Sequence, residues 1–392
     1  MIDLLDKHKP LTERFARMMD MGVNAVGLTN EKMLSPTRSM INGRETILAG
    51  TNNYMGVTFN PECIAAGIDA LNEFGTGTTG SRIANGNYTL HQQLEQQLAR
   101  MLNRKHCIAF TTGYQANLGM MSGLAGPRDT IFLDADSHSS IYDGCTLSGA
   151  KLVRFRHNDA EDLAKRLTRS EGEGGRLVVL EGIYSMLGDR APLKDFVAVK
   201  KQHGFQLLVD EAHSFGVLGP HGRGLADEAG LEEEADFIVG TFSKSVGAIG
   251  GFGAGDHPLF ETLRYAMRPY MFTASSSPAS VATSIKALQI LEREPDRRDR
   301  LWANSERLFN GLVKLGLETG CETVSPVIAV KLPDELTAIT KWNALLNAGV
   351  YVNIALPPGT PNRLCLLRCS VSAAHSFEEI DKIIEVFGQV VA

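Results

Sequence analysis

The sequence of 392 residues contains no run of about 18 or more apolar residues, which argues against a transmembrane helix. It contains no internal repeat and no low-complexity linker. Its N-terminus lacks a long apolar core and a small-residue cleavage site, so we expect no signal peptide. Lys and Arg are scattered without a basic stripe, and the net charge is −6. These features argue against a nucleic-acid-binding protein.

Cysteine is also scarce. The six cysteines are dispersed, without the spacing of metal ligands, at positions 63, 107, 145, 321, 365 and 369. We therefore predict reduced thiols in or near the core of a cytoplasmic protein, and no metal site.

The pattern of hydrophobic residues predicts an α/β fold. A hydrophobic content of 43% suffices for a large and a small domain. From about residue 87 to 253, helical segments alternate with short apolar segments, which predicts a mainly parallel sheet covered by helices on both faces. We predict three regions: a helical N-terminal arm over 1–45, a large domain over 46–275, and a long linking helix with a small C-terminal α+β domain over 276–392. The linking helix is expected from about 276 to 315. The small domain is expected to have strands near 326–332, 350–354 and 364–370 and a closing helix at 377–390.

Lys244 is the most informative residue of the chain. It lies in a glycine- and hydroxyl-rich turn that follows the apolar segment 236–240, and a second apolar segment, 205–209, ends at Asp210. Pyridoxal phosphate (PLP) chemistry needs a lysine that forms a Schiff base and an acid that keeps the pyridine nitrogen protonated. Alone, Lys244 reads as a solvated loop lysine and Asp210 as a helix N-cap. Their order and spacing together indicate a PLP site.

Other polar residues follow the predicted strands. Backbone N–H groups at 112–114, before a helix, could hold a phosphate, although Tyr114 alone reads more readily as a packing aromatic. His138 at a strand end could stack on a flat ring or be a hydrogen-bonded structural histidine. His213 could reach the ring hydroxyl or a substrate. Thr241 and Ser243 could add phosphate contacts.

Two further features leave alternatives open. Arg368, in an apolar segment of the small domain, is costly to bury unpaired, and either a substrate carboxylate or a structural ion pair would satisfy it. The glycine-rich stretch 75–82 follows a predicted helix and lacks the Gly-Lys-Ser/Thr of a P-loop, so we interpret it as a flexible active-site loop.

Taken together, these motifs resemble the α-oxoamine synthase family, PLP-dependent enzymes of fold type I. The resemblance extends from residue 52 to 375 and rests on five motifs: Thr-Gly-Tyr-Gln-Ala-Asn at 112–117, Asp-Ala-Asp-Ser-His at 134–138, Glu-Gly-Ile-Tyr-Ser-Met-Leu-Gly-Asp at 181–189, Val-Asp-Glu-Ala-His-Ser at 209–214 and Thr-Phe-Ser-Lys-Ser at 241–245. Within the family, the segments 138–144, 154–157, 240–247 and 366–370 are most similar to the bacterial serine palmitoyltransferase branch.

The resemblance implies a PLP-dependent transferase of fold type I, whose large domain has a mainly parallel seven-stranded sheet. It implies an acyltransferase that condenses an amino acid, expected to be L-serine, with a long-chain acyl thioester, expected to be palmitoyl-CoA. The products of this decarboxylative Claisen condensation would be 3-ketodihydrosphingosine, CO2 and CoA, in the first step of sphingolipid synthesis. The family is dimeric with shared active sites, so a homodimer is implied.

The resemblance also implies roles for individual residues. The catalytic residues would be Lys244, His138, Asp210 and His213. The PLP contacts would be Gly113, Tyr114, His138, Ser185, Asp210, His213, Thr241, Ser243, Lys244 and, from the neighbouring subunit, Thr273. The substrate contacts would be Asn53, Ser81 and Arg368.

The sequence departs from the expected pattern at two positions. Leu356 stands before a Pro-Pro pair where the bacterial serine palmitoyltransferase pattern has Arg, and position 52 is Asn where that pattern has Tyr. Leu356 leaves the amino-acid choice or the handling of decarboxylation open, with Arg363 as a candidate to replace the missing arginine. Asn52 leaves the subclass open, since other family members have Asn there. The segment 265–272 lines either an acyl tunnel or the dimer interface. CoA and an acyl-carrier protein both remain open as the acyl carrier, as does a weak membrane contact through the N-terminal arm.

Several other activities compete with this interpretation. Within the family they are 8-amino-7-oxononanoate synthase, glycine C-acetyltransferase and an alkyl amino-ketone synthase. An aminotransferase would share the fold, the lysine and the acid. A non-catalytic scaffold subunit would lack the Schiff-base lysine, so the presence of Lys244 argues against it.

Overall fold

The structure is a computed structural model that describes residues 3–22, 28–170, 172 and 174–392. The chain divides into two compact units that alternate along the sequence. The larger unit comprises residues 52–185 and 189–301. The smaller unit comprises residues 1–51, 186–188 and 302–392. The domain boundaries predicted after residues 45 and 275 stay predictions.

Within the described residues, the strands are, in chain order, β1 Lys32–Ser35, β2 Arg38–Ile41, β3 Arg44–Leu48, β4 His106–Phe110, β5 Thr130–Asp134, β6 Lys151–Phe155, β7 Arg176–Glu181, β8 Gln206–Asp210, β9 Phe237–Thr241, β10 Gly251–Gly255, β11 Val327–Leu332, β12 Val350–Tyr351, β13 Asn353–Ala355 and β14 Cys365–Ser370.

The α-helices of the same residues are α1 Lys9–Asp20, α2 Pro61–Phe74, α3 Thr89–Met101, α4 Gly113–Leu124, α5 Ser139–Ser148, α6 Ala160–Arg169, α7 Leu193–His203, α8 Leu225–Ala229, α9 Arg268–Met271, α10 Pro278–Arg293, α11 Asp296–Lys314, α12 Glu335–Asn347 and α13 Phe377–Val390.

The sheet of the larger unit has seven strands in the order β4-β10-β9-β8-β7-β5-β6. The five strands from β9 to β6 run parallel, whereas β10 is antiparallel to both β9 and β4. All five residues of β5 and of β9 are buried, as expected for strands covered on both faces. The predicted mainly parallel seven-stranded sheet is therefore confirmed.

Polar residues end four of the parallel strands. Asp134, Glu181, Asp210 and Thr241 are the last residues of β5, β7, β8 and β9, and each is buried. Because parallel strands have their carboxyl ends at one edge of the sheet, these side chains lie along a common edge. This is the edge at which open α/β sheets bind ligands.

The smaller unit contains two sheets, with the strand orders β1-β2-β3-β12 and β11-β14-β13. One strand was predicted at 350–354, but the structure has two: β12 pairs with β3 and β13 pairs with β14. The predicted strands near 326–332 and 364–370 correspond to β11 and β14, and the closing helix predicted at 377–390 is α13.

The predicted single helix from about 276 to 315 is wrong. The structure has two helices, α10 and α11, which are separated at Glu294 and Pro295. Proline lacks a backbone N–H, and its ring disfavours a helical conformation of the residue before it. Glu294 accordingly leaves the helical region, with φ −119° and ψ 64°.

The helical prediction for the N-terminal arm is correct only in part. α1 covers Lys9–Asp20, but β1 and β2 lie within the arm predicted as helical over 1–45. Residues 1, 2 and 23–27 of that arm lie outside the described residues. Among the described residues, no helix has the length and apolarity needed to cross a membrane.

Candidate active site

A cavity of about 320 Å³ lies at the strand-end edge of the seven-stranded sheet. Its lining residues come from the carboxyl ends of β7, β8 and β9, from the starts of α4 and α5, and from the turn after β9. They are Thr112, Gly113, Tyr114, Asn117, His138, Ser140, Glu181, Asp210, Ala212, His213, Val239, Gly240, Thr241, Ser243, Lys244, Ile249 and Gly250.

One end of the cavity is suited to an anion. Thr112 caps α4 by accepting the backbone N–H of Gln115 at 3.1 Å, so the N–H groups of the first helical residues stand at the cavity. Helix N-termini favour phosphate groups because their backbone N–H groups lack partners within the helix. The hydroxyls of Thr241 and Ser243 lie 2.9 Å apart at the same cavity.

Glycine is required at the start of α4. A Cβ atom on Gly113 would lie 2.7 Å from Cβ of Thr241, closer than packing allows. The missing side chain lets the helix N-terminus approach the hydroxyls that follow β9. The predicted phosphate contacts at 113, 114, 241 and 243 therefore line one cavity.

Asp210 defines a second, acidic part of the cavity. Its Oδ2 accepts a hydrogen bond from Nδ2 of Asn117 at 2.7 Å, and its Oδ1 accepts the backbone N–H of Ala212 at 2.9 Å. The carboxylate is only 4% exposed. Both carboxylate oxygens are thus held in place by donors at the cavity, where a protonated pyridine nitrogen would need an acidic partner.

His138 is the N-cap of α5. Its Nδ1 accepts the backbone N–H of Ser140 at 3.2 Å, and its own backbone N–H donates to Oε1 of Glu181. Burial lowers the pKa of His138, Asp210 opposes this effect and Lys244 adds to it. Burial, reinforced by the charge of Asp210, raises the pKa of Glu181 well above its usual range. The ring of Tyr114 meets that of His138 edge-on, with a centroid separation of 6.5 Å.

His213 is oriented from behind by a buried tyrosine. The hydroxyl of Tyr54 lies 2.7 Å from Nδ1 of His213, and Tyr54 is fully buried. This hydrogen bond to Nδ1 fixes the orientation of the His213 imidazole ring.

Lys244 lies three residues after the end of β9. The turn is closed by the backbone N–H of Gly247, which donates to the carbonyl of Lys244 at 3.0 Å, and Gly247 has φ +65°, which glycine adopts at low cost. The cavity thus combines a lysine, a buried carboxylate and an anion site. PLP requires this set of groups: an amine for its aldehyde, an acid for its ring nitrogen and donors for its phosphate. The residues present fit the group.

Five of the predicted site residues are not part of this lining. Asn53, Ser81, Ser185 and Thr273 belong to the larger unit but are outside the cavity lining as described, and Arg368 belongs to the smaller unit. Nδ2 of Asn53 donates to the hydroxyl of Thr58 at 2.9 Å. The hydroxyl of Thr273 accepts from Nε2 of Gln115 at 3.3 Å. Arg368 is 6% exposed on β14 and donates to the hydroxyl of Ser370 at 2.9 Å.

Four site residues were missed from the sequence: Tyr54, Asn117, Ser140 and Glu181. Asn117, Ser140 and Glu181 lie inside the quoted segments 112–117, 138–144 and 181–189, and Tyr54 follows Asn53, which was selected. The available signal was their polarity at the end of a strand or the start of a helix. Their partners, however, lie up to 159 residues away along the chain, and the motif pattern does not reveal such pairs.

Comparison with known proteins adds to this geometry. The family profile "Aminotransferase class I and II" matches residues 44–387. The chain is 55% identical over 388 residues to a serine palmitoyltransferase of Caulobacter vibrioides, covering 99% of this chain and 96% of that protein. An 8-amino-7-oxononanoate synthase of Symbiobacterium thermophilum is less similar, with 38% identity over 374 residues, 94% of this chain and 95% of that protein.

The fold is also similar to a solved structure. A high-resolution structure of SPT with its PLP internal aldimine superposes with a TM-score of 0.97 at 50% identity, covering 99% of this chain and 98% of that one. The similarity thus covers nearly all of both chains, including the strands and turns that form the cavity.

Proposed function

Because this chain belongs to the aminotransferase class I and II family, and within it to the PLP-dependent α-oxoamine synthases of fold type I, we propose that it is a serine palmitoyltransferase. It would condense L-serine with a palmitoyl thioester, release CO2 and give 3-ketodihydrosphingosine, the first intermediate of sphingolipid synthesis. The observation that carries the choice of substrates is the 55% identity, over 99% of the chain, with a serine palmitoyltransferase.

The cavity residues hold the cofactor in this proposal. Lys244 would bind the PLP aldehyde, Asp210 the pyridine nitrogen, and Gly113, Tyr114, Thr241 and Ser243 the phosphate. His138 would hold the ring, and His213, with Ser185, would contact its phenolic oxygen. Bound PLP would supply an electron sink for the negative charge that develops at the substrate α-carbon.

The residues of the chain then move the proton and hold the substrate. Lys244 removes the proton from the α-carbon of the amino acid and later returns one to the product. Asn53, Ser81 and Arg368 bind the amino acid, with the guanidinium of Arg368 on its carboxylate.

The assembly and the acyl donor also belong to the proposal. The enzyme would be a cytoplasmic homodimer in which Thr273 reaches the phosphate of the neighbouring subunit's PLP. Thr273 lies outside the cavity lining as described, which agrees with a contact made in trans. The thioester would be palmitoyl-CoA, with an acyl-carrier protein as the alternative carrier.

A competition assay tests the substrates. The purified enzyme receives serine, glycine, alanine and threonine together with palmitoyl-CoA, and mass spectrometry identifies the products. We expect 3-ketodihydrosphingosine to dominate, which would also show that Leu356 supports serine transfer. A different amino ketone would reject the proposed substrates and retain a synthase of another specificity.

Lys244→Ala tests the cofactor chemistry. Borohydride reduction of the parent enzyme should leave a pyridoxyl group on Lys244, detectable in a peptide map. The variant should carry no such group and should lose activity by at least about 1,000-fold, since it lacks both the covalent attachment and the acid/base group. Lys165→Ala, an exposed lysine on α6, serves as the matched control and should retain full activity.

A further inference from the structure

Asn117 connects two side chains of the cavity that come from different elements. It lies on α4, is 4% exposed, and its Nδ2 is 2.7 Å from Oδ2 of Asp210 and 3.0 Å from the hydroxyl of Ser140. Ser140 is 1% exposed, and its hydroxyl lies 2.7 Å from Nδ1 of His138. A continuous hydrogen-bonded chain therefore runs from Asp210 through Asn117 and Ser140 to His138.

The direction of each hydrogen bond follows from counting donors. The Asn117 amide nitrogen can only donate, so Ser140 Oγ accepts from it. The single hydroxyl hydrogen of Ser140 is then available for Nδ1 of His138. The backbone N–H of Ser140 also points at Nδ1, from 3.2 Å, and can only donate. Nδ1 therefore faces two donors and carries no proton.

The orientation of the Asn117 amide is set by the same contacts. Reversing the amide would place its oxygen 2.7 Å from the Asp210 carboxylate and beside the Ser140 hydroxyl, which would leave two acceptors facing each other. In the observed orientation both amide hydrogens are used, and Oδ1 is buried without a protein partner. One unsatisfied amide oxygen is a smaller cost than an amide oxygen against a buried carboxylate.

The electrostatics of the cavity agree with a neutral imidazole. Burial lowers the pKa of His138, and the positive charge of Lys244 acts in the same direction. The carboxylate of Asp210 has the opposite effect, but its Oδ2 and Oδ1 are already engaged by Asn117 and by the backbone of Ala212.

We propose that Asn117 and Ser140 are positioning residues that hold His138 neutral, with its ring proton on Nε2, and couple it to the Asp210 carboxylate. The proposal rests on the proposed function, in which PLP occupies this cavity. It assigns a purpose to two buried polar residues that would otherwise be costly in the core. It also leaves Nε2–H of His138 as the donor available to a substrate carboxylate.

Neutron diffraction from crystals of the deuterium-exchanged holoenzyme tests the proton positions directly. We expect deuterium on Nε2 of His138 and none on Nδ1, with the Ser140 deuterium directed at Nδ1. Deuterium on Nδ1 would overturn the proposal, whichever way the Asn117 amide is oriented.

A double-mutant cycle tests the coupling. Asn117→Ala and Ser140→Ala should each weaken PLP binding about tenfold and change the absorption spectrum of the bound cofactor, because each breaks a hydrogen bond in a chain that ends on a charged group. In the double variant, PLP binding should weaken about 20-fold. Two independent effects would instead multiply to a loss of roughly 100-fold. Fully multiplicative losses would overturn the proposal.

Ser148→Ala is the matched control. Ser148 is also a buried serine on α5, but its hydroxyl donates to the carbonyl of Cys145 at 2.6 Å, away from the cavity. The Ser148→Ala variant should have the absorption spectrum and the PLP dissociation constant of the parent. If Ser140→Ala also leaves both unchanged, the proposal is overturned. A parent enzyme that binds no PLP would instead refute the proposed function, so the two failures are distinguishable.

Discussion

Two histidines near the same edge of the seven-stranded sheet have opposite electrostatic environments. His138 follows β5, and its Nδ1 faces only donors from Ser140. His157 follows β6, and its two ring nitrogens lie 2.8 Å from Oδ1 of Asp134 and 2.7 Å from Oδ2 of Asp189. Burial lowers the pKa of both rings, but in His157 the hydrogen bonds to the two carboxylates outweigh burial and raise the pKa to about 10.

The comparison shows that the partners, and not the residue type, set the charge of a buried histidine. His157 is a cation that links the end of β5 to the segment containing Asp189, and Tyr184 packs edge-on against it with a centroid separation of 4.5 Å. His138 is neutral and faces the cavity. We therefore expect the ring of His157 to contribute to stability and that of His138 to contribute to the proposed chemistry, although both belong to motifs of the same family resemblance.

The largest effect should come from the cavity histidine. We expect His138→Ala to lower kcat/KM by on the order of 100-fold, since loss of the ring misplaces both the cofactor and the substrate carboxylate. The free energy of unfolding should fall by only about 1 kcal/mol, because the variant loses the side-chain cap of α5 but no ion pair. Steady-state kinetics and calorimetry on the same preparation check both points. If His138→Ala is inactive only because it unfolds, His138 acts on stability as His157 does, and the contrast between the two histidines is wrong.

For the second histidine we expect the reverse. His157→Gln leaves the carboxylates of Asp134 and Asp189 without their shared cation, and Asp134 is fully buried. The free energy of unfolding at neutral pH should fall by about 2 kcal/mol, the usual cost of depriving buried acceptors of a charged donor. Denaturant titration measures it. At a temperature where the variant is folded, kcat/KM should stay within about threefold of the parent.

The pH dependence of stability sharpens this prediction. The pKa of His157 is about 10 in the folded protein and 6.5 when unperturbed. Its contribution to stability is therefore fully present below pH 6.5 and is lost as the pH rises towards 10. Between pH 6.5 and pH 10, the free energy of unfolding should therefore fall less in the His157→Gln variant than in the parent.

The sequence predicted the residues of the site better than their contacts. Lys244 and Asp210 were identified because strand ends and glycine-rich turns have local signatures. Asn117 was not selected, because its role depends on Asp210, 93 residues further along the chain. The same limit explains why His157 was quoted only as part of a motif: its partners at 134 and 189 come from two other segments of the chain.

Errors in the fold have a different origin. Pro295 is a local signal for the break between α10 and α11. The prediction overlooked it because the pattern on both sides of the proline is helical. β1 and β2 are short and largely exposed or half-buried, so they lack the apolar run by which the strands of the large sheet were recognised. Local patterns thus predict buried elements well and exposed elements poorly.

The smallest predicted effect concerns a neutral donor in the His157 cluster. Nδ2 of Asn158 donates to Oδ2 of Asp189 at 2.7 Å, the same oxygen that Nε2 of His157 contacts. Asn158 has φ +54°, so Asn158→Gly removes the amide while the backbone conformation stays accessible. We expect a loss of about 1 kcal/mol in the free energy of unfolding, because the amide donates to Asp189 and, at 3.2 Å, to the carbonyl of Arg190.

Asn158→Gly separates hydrogen bonding from charge. Because the amide does not titrate, the variant should be less stable by the same amount at pH 6.5 and at pH 9, and its curve of stability against pH should run parallel to that of the parent. His157→Gln should instead converge with the parent as the pH rises, since the parent loses its imidazolium there. Parallel curves for both variants would mean that His157 acts only as a hydrogen-bond donor, and its contrast with His138 would then be one of geometry and not of charge.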